Sequence, residues 1–174
     1  MTLNTSRKLL LASASVIAAT AMATSALAQA TATTSATASI TIFQPITIAK
    51  NSDLQFGRVI RPSTGSTTYS VSAADGTTTL TGGDGIFNGS VTPTRAVFTV
   101  NGEGGQLFNI VADPSVVNGG ITINLVKSNA SLNLSGSLGV AGSATFGVGG
   151  NVTLTSASST GLKTGSFNVT VTYN

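Results

Sequence analysis

The side chains that could do acid–base or metal chemistry in this 174-residue chain are five acids, Asp53, Asp75, Asp84, Glu103 and Asp113, because the sequence has no histidine and no cysteine. Those absences remove the commonest general base, the thiol nucleophile and the usual metal ligands. A Ser-His-Asp triad has no base to work with. A glycosidase pair needs two carboxylates converging on one bond, and the spacing of these acids singles out no pair. Asp75, Asp84 and Asp113 each stand beside Gly or Pro, where an Asx side chain bonds local backbone in a turn. The chain therefore reads as a non-enzyme, with no catalytic residue, cofactor or metal site expected.

Two glycine-rich segments have compositions that can serve ligand chemistry. Gly82-Gly83-Asp84-Gly85-Ile86-Phe87 has the flavour of the glycine–aspartate repeat that binds Ca²⁺, but that motif works by stacking many copies and here there is one. Gly102-Glu103-Gly104-Gly105 lacks the Lys-Ser/Thr of a phosphate loop and is not followed by a helical pattern. Both read as loops, the second as a hairpin loop. The aromatics Phe43, Phe56, Tyr69, Phe87, Phe98, Phe108, Phe146, Phe167 and Tyr173 include no Trp, and most fall at alternating strand positions, so they read as core rather than as a sugar-stacking platform.

The elements that must position these residues begin after a leader. Arg7 and Lys8 precede an apolar run through Leu9, Leu10, Leu11, Val16 and Ile17 to Met22, followed by small residues at Ala26, Ala28 and Ala30. This is the layout of a cleaved secretory signal peptide over residues 1–30, too short and too rich in Ala and Ser for a span. Export is expected, with passage through the periplasm to the cell surface or an extracellular fibre and no membrane span once the leader is removed. The remaining charges are Lys50, Arg58, Arg61, Arg95, Lys127 and Lys163 against the five acids. They are scattered, which argues against a nucleic-acid partner. Charged residues are 7% of the chain, against about 25% in ordinary soluble domains. A surface of Thr, Ser, Asn and Gly is poorly defended against edge-to-edge pairing, and suits a subunit built to associate.

Beyond the leader the dominant signal is period-two alternation broken by Gly, Asn-Gly and Asp-Gly. Strands are expected over residues 36–49, 54–59, 67–72, 77–81, 96–100, 107–111, 121–126, 132–138, 145–148, 152–154 and 167–173. Asp75-Gly76 and Asn101-Gly102 read as turns, and Gly149-Gly150 as a break between two strands. About ten short strands make an all-β antiparallel sandwich. Residues 31–42 form an amino-terminal extension and residues 43–174 the domain.

The last fourteen residues carry the sharpest pattern. Phe167, Val169, Val171 and Tyr173 alternate onto one face of a strand, with Gly161 upstream and Tyr173 penultimate. This resembles the carboxy-terminal motif of chaperone–usher pilins, and Asp53-Leu54-Gln55-Phe56-Gly57 resembles the Leu-x-Phe-Gly segment of the archaic, spore-coat-U-like branch. More of the chain is similar to a small exported bacterial family catalogued as domain of unknown function 4402, through Leu54 to Gly57, Phe98-Thr99-Val100, Gly102, the Phe146 to Gly150 run, and Gly165-Ser166-Phe167 onward to Tyr173-Asn174. The pilin likeness implies an incomplete immunoglobulin-like sandwich. Gly161, Phe167, Val169, Val171 and Tyr173 would belong to an assembly groove. A donor strand offering Ala36, Ala38, Ile40 and Ile42 would fill it in the next copy of the chain. A periplasmic chaperone and an outer-membrane usher would be the transient partners. Such β-strand addition is head-to-tail and generates a fibre. The competing expectation is a self-contained secreted sandwich that binds a cell-surface partner or glycan.

Overall fold

The computed structural model describes residues 31–174; the leader assigned to residues 1–30 lies outside the described residues. Its compact unit runs from Ile40 to Asn174. Residues 31–39, taken by themselves, are exposed and have no regular secondary structure. Among the described residues there is no helix, and hence none long and apolar enough to cross a membrane.

Twelve strands, all antiparallel, build the unit. One sheet contains β1 (Thr47–Ser52), β3 (Ser66–Val71), β4 (Thr78–Thr81), β6 (Ala96–Glu103), β8 (Ser115–Asn118), β9 (Ile121–Lys127) and β11 (Ala141–Thr155). Its order is β1-β6-β11-β3-β4, with the β8–β9 hairpin attached through β9 to β11. A second sheet has the order β10-β7-β12, from β10 (Ser131–Asn133), β7 (Leu107–Ala112) and β12 (Val169–Tyr173). A two-stranded ribbon joins β2 (Arg58–Ile60) to β5 (Ile86–Asn88).

The inner faces of the two sheets meet in one apolar cluster. Ala96, Phe98 and Val100 come from β6, Phe146 and Val148 from β11, and Phe108 and Ile110 from β7, with Leu134 beside them. The Phe98 and Phe146 rings stack with centroids 5.4 Å apart. A smaller cluster of Tyr69, Val152 and Leu154 lies against Phe56, Val59 and Phe87 of the ribbon side. Alternation of β-branched and aromatic residues along each strand places every second side chain in these clusters. The architecture is thus an all-β antiparallel sandwich.

Several local readings of the sequence are corrected. Asn101 and Gly102 are not a turn: they continue β6 and pair with Ser143 and Gly142 of β11. β6 and β7 are not a hairpin either, because they lie in different sheets; the Gly102–Gly105 region carries the chain from one layer to the other. The Asp75-Gly76 hairpin forms, but Ser72 N–H donates to the Thr77 carbonyl (2.8 Å), so the loop is longer than two residues. Residues 36–46 form no strand, and the first one starts at Thr47.

The largest correction is β11. Gly149-Gly150 does not divide two strands; one strand of 15 residues runs through both. A Cβ on Gly149 would fall under 3.0 Å from backbone atoms of Val71 and Ala73. The glycine is required by another backbone's close approach, not by a turn. Gly149→Ala is therefore expected to cost about 2 kcal/mol or more, since backbone rather than a flexible side chain must yield. In a domain of this size that is a fall of roughly 5–10 °C in Tm. Thermal unfolding followed by far-UV circular dichroism checks it; an unchanged Tm would show that β3 moves freely.

Candidate functional site: a cleft between two unpaired edges

β12 pairs with β7 and with no other strand, so its second edge is open. β1 likewise pairs only with β6. These open edges belong to opposite sheets; β12 packs on the main apolar cluster through Val169, Val171 and Tyr173, and Ile46, just ahead of β1, packs on it as well. A strand edge carries a row of backbone N–H and C=O groups without ladder partners. Two such edges beside one apolar cluster are where a further strand could pair.

Register shows that the walls of this cleft face inward. Val171 stands opposite Ile110 and Tyr173 opposite Phe108, two fully buried residues of β7. Ile48 stands opposite Val100, also fully buried. Directly opposed residues share a face of the sheet, so Ile48 points at the core, yet it remains 37% exposed. Phe167, Val169, Val171 and Tyr173 all pack on the core cluster and are all half-buried. Phe167 meets Phe98 edge-on at 6.4 Å. Inward-pointing apolar residues that stay partly wet mark a core lacking one cover.

The cleft has one closed end. The Tyr173 hydroxyl donates to the Gln44 carbonyl (2.8 Å) and accepts from the Glu103 N–H (2.6 Å). The Phe43 ring lies edge-on to the Tyr173 ring at 5.7 Å. Tyr173 is therefore held by its own chain, and the open part of the wall is Phe167, Val169 and Val171. A Cβ at Gly102 would collide with the Tyr173 hydroxyl, so a glycine on β6 makes room for that ring.

The remaining predicted positions fall as follows. Ala36 and Ala38 are exposed and outside any strand. Ile40 and Ile42 are 83% and 77% exposed, which is unusual for two neighbouring β-branched residues of one alternating segment. Gly161 has φ near +95° and nothing within 4 Å of where its Cβ would be. It lies in the loop that contacts the β8–β9 turn through Ser159 to Gly119 and Asn118 to Thr164, apart from the β12 wall.

The acids each serve local structure. Asp53 pairs with Lys50 at 2.6 Å on the exposed side of the β1 exit. Asp75 accepts the N–H and hydroxyl of Thr77. Hydrogen bonds from the Ser72 hydroxyl and then Thr77 lower its pKa to about 2. Asp84 accepts from the hydroxyl and N–H of Ser63, which lower its pKa, so its carboxylate closes the Gly82–Gly85 loop. Asp113 accepts the Asn168 N–H at 2.7 Å and ties the start of β12 to β7. Glu103 alone is buried, at 1% exposure. The sequence reading as a loop residue missed it, because its partners are 36 and 59 positions away. Among the described residues, no three of these acids come together as a metal-ligand group.

Fold and site together define an all-β antiparallel sandwich in which the edges of β1 and β12 have no strand partner. The family model described as domain of unknown function (DUF4402) matches residues 46–173, and the chain belongs to that family. No curated protein and no solved structure matches it.

Proposed function

We propose that this protein is an exported structural subunit of an extracellular, pilus- or fimbria-like fibre, and that copies join head-to-tail by strand donation. The observation that carries the reading is the pairing of a vacancy with a filler in one chain. The vacancy is the cleft between β1 and β12, where Ile48 faces the core and is still exposed. The filler is the alternating segment Ala36, Ala38, Ile40, Ile42, whose isoleucines are almost fully solvated.

The dimensions and energies fit. Phe167 to Tyr173 is a seven-residue run, about 23 Å at ~3.3 Å per residue. Residues 31–42 reach up to about 40 Å when extended, so a donated segment can span the wall while leaving a short linker. Burying Ile40 and Ile42 contributes about 1.5–3 kcal/mol each, against about 0.8 kcal/mol for each alanine methyl. The isoleucines are thus the anchors and the alanines lie over shallower parts of the wall. Main-chain bonds to the free edge of β12 add affinity without demanding sequence. Because donor and acceptor surfaces differ, the contact does not close on itself and extends into a polymer. An open apolar edge on each subunit in transit calls for a periplasmic chaperone and an outer-membrane usher as transient partners.

The test uses the processed chain. Raising its concentration is expected to give heat- and detergent-resistant ladders on an unboiled gel. A synthetic peptide of residues 31–43 in excess is expected to collapse the ladder to single subunits. A chain that remains monomeric at every concentration by sedimentation removes the proposal and leaves the self-contained binding domain in its place.

A further inference from the structure

Glu103 is the single acid buried among the described residues, and the strand-donation mechanism does not use it. Its position between three segments gives it a role. Oε2 accepts the Gln44 N–H at 3.1 Å, and Oε1 accepts the Gly139 N–H. Its own backbone N–H donates to the Tyr173 hydroxyl, which in turn donates to the Gln44 carbonyl. One residue step further, the Gly104 N–H donates to Val140 (2.8 Å), which fixes the 137–140 loop against the same point.

The consequence for Gln44 is specific. Both of its backbone polar groups are occupied, the N–H by the Glu103 carboxylate and the carbonyl by the Tyr173 phenol. The next residue is Pro45, which has no N–H. No strand lying along β12 can therefore continue past Tyr173, because the chain's own Gln44 and Phe43 occupy that end. A buried carboxylate held only by backbone donors is costly to misplace, so this junction is stiff.

We infer that Glu103 is the positioning residue that closes the Tyr173 end of the cleft, and that this stop sets the register of the strand filling the cleft. The inference rests on the fibre reading for its occupant, a second copy's extension. A one-residue slip presents the opposite face and is excluded by the alternation, but a two-residue slip is not, so a groove with two open ends would accept Ile40 and Ile42 in several registers. A fixed stop leaves one.

Two measurements on the processed chain test this. Glu103→Gln keeps the size of the side chain but replaces one acceptor by a donor, so it cannot receive both N–H groups. Glu103→Asp keeps the charge but shortens the reach to Gln44 and Gly139 by one methylene, and serves if the first variant does not fold. In either variant the Gln44 amide is expected to exchange at least about ten-fold faster by NMR, while the Ile110 core amide keeps its rate. Unchanged Gln44 exchange in a folded variant overturns the role of Glu103. The absence of cysteine makes the second measurement clean. Thr41→Cys is combined with Thr170→Cys or with Thr172→Cys, and intermolecular disulfide yields are compared. One combination is expected to dominate by at least about five-fold in the parent, and Glu103→Gln is expected to even the two. An unchanged ratio overturns the register stop. No intermolecular link in the parent sinks the fibre reading and the register with it, while the amide measurement still decides whether Glu103 holds Gln44.

Discussion

Val171→Asp is expected to destabilise the domain by about 2–4 kcal/mol, whereas Thr170→Asp, one residue earlier, costs less than about 1 kcal/mol. Val171 opposes the buried Ile110 and packs on the main cluster. Thr170 opposes Val111, which is 62% exposed on the outer face of the same sheet. An unpaired carboxylate on the inner face must be desolvated or must drag water into the core. Because Val171 is half-buried rather than sealed, the penalty sits below that of a fully buried charge. On the outer face the same charge stays in water, where surface substitutions are usually within about 0.5 kcal/mol. Urea midpoints of the two variants, with unchanged m-values, measure the difference. Equal midpoints would mean that the β12 face has been assigned backwards. Export yield should follow the same order, since an unfolded exported chain is cleared by proteolysis.

Removing residues 31–42 is expected to abolish assembly altogether while changing the stability of the isolated domain by less than about 0.5 kcal/mol. The two effects separate because Ile40 and Ile42 are exposed in the single chain, and among the described residues no strand begins before Thr47. The truncated chain keeps Phe43 and Gln44, and hence the contacts of both with Tyr173. Its cleft should then be a simple receptor for the missing segment. Adding the 31–43 peptide at a hundred times its dissociation constant should raise stability by about 2.7 kcal/mol, as for any ligand that binds only the folded state. A truncated domain that loses 2 kcal/mol or more without peptide would show that the extension belongs to its own molecule. Continued laddering of the truncated chain would show that some other surface joins the copies.

Strand donation would place binding energy in a surface that ordinary domains avoid. The charge-poor composition, 7% of residues, leaves few of the lysines and glutamates that usually protect sheet edges. Lys50 is one exception: it opposes Phe98 on the inward side of β1 and leans out to Asp53. An inward-pointing charge near an open edge weakens non-specific pairing there. The cleft is thus apolar toward Ile48 and Val171 and charged toward the β1 exit, which favours a partner whose apolar residues lie toward one end.

Much of the β12 wall was legible in the sequence, and the reason is local. Alternation of Phe167, Val169, Val171 and Tyr173 is decided by the two-residue period of an extended chain, whatever surrounds it. The turn between β8 and β9 has the same local origin, since Gly119 and Gly120 both take positive φ, as a two-residue turn demands, although no strand was expected where β8 lies. All-β class, the absence of histidine and cysteine chemistry, and an apolar extension ahead of the domain were likewise contained in residue types and their order.

Tertiary structure decided the rest, wherever a residue's role depends on distant backbone. Gly149 looks like a turn until the Val71–Ala73 backbone, more than seventy residues earlier, is seen to need its missing Cβ. Glu103 looks like a loop acid until Gln44 and Gly139 arrive at its two oxygens. Asn101-Gly102 looks like a turn until Ser143 and Gly142 extend the ladder past it. The cleft itself belongs to this group. No sequence pattern says that β1 and β12 each lack a neighbour, because an open edge is a property of which strands pair, and pairing is settled by contacts far apart in the chain.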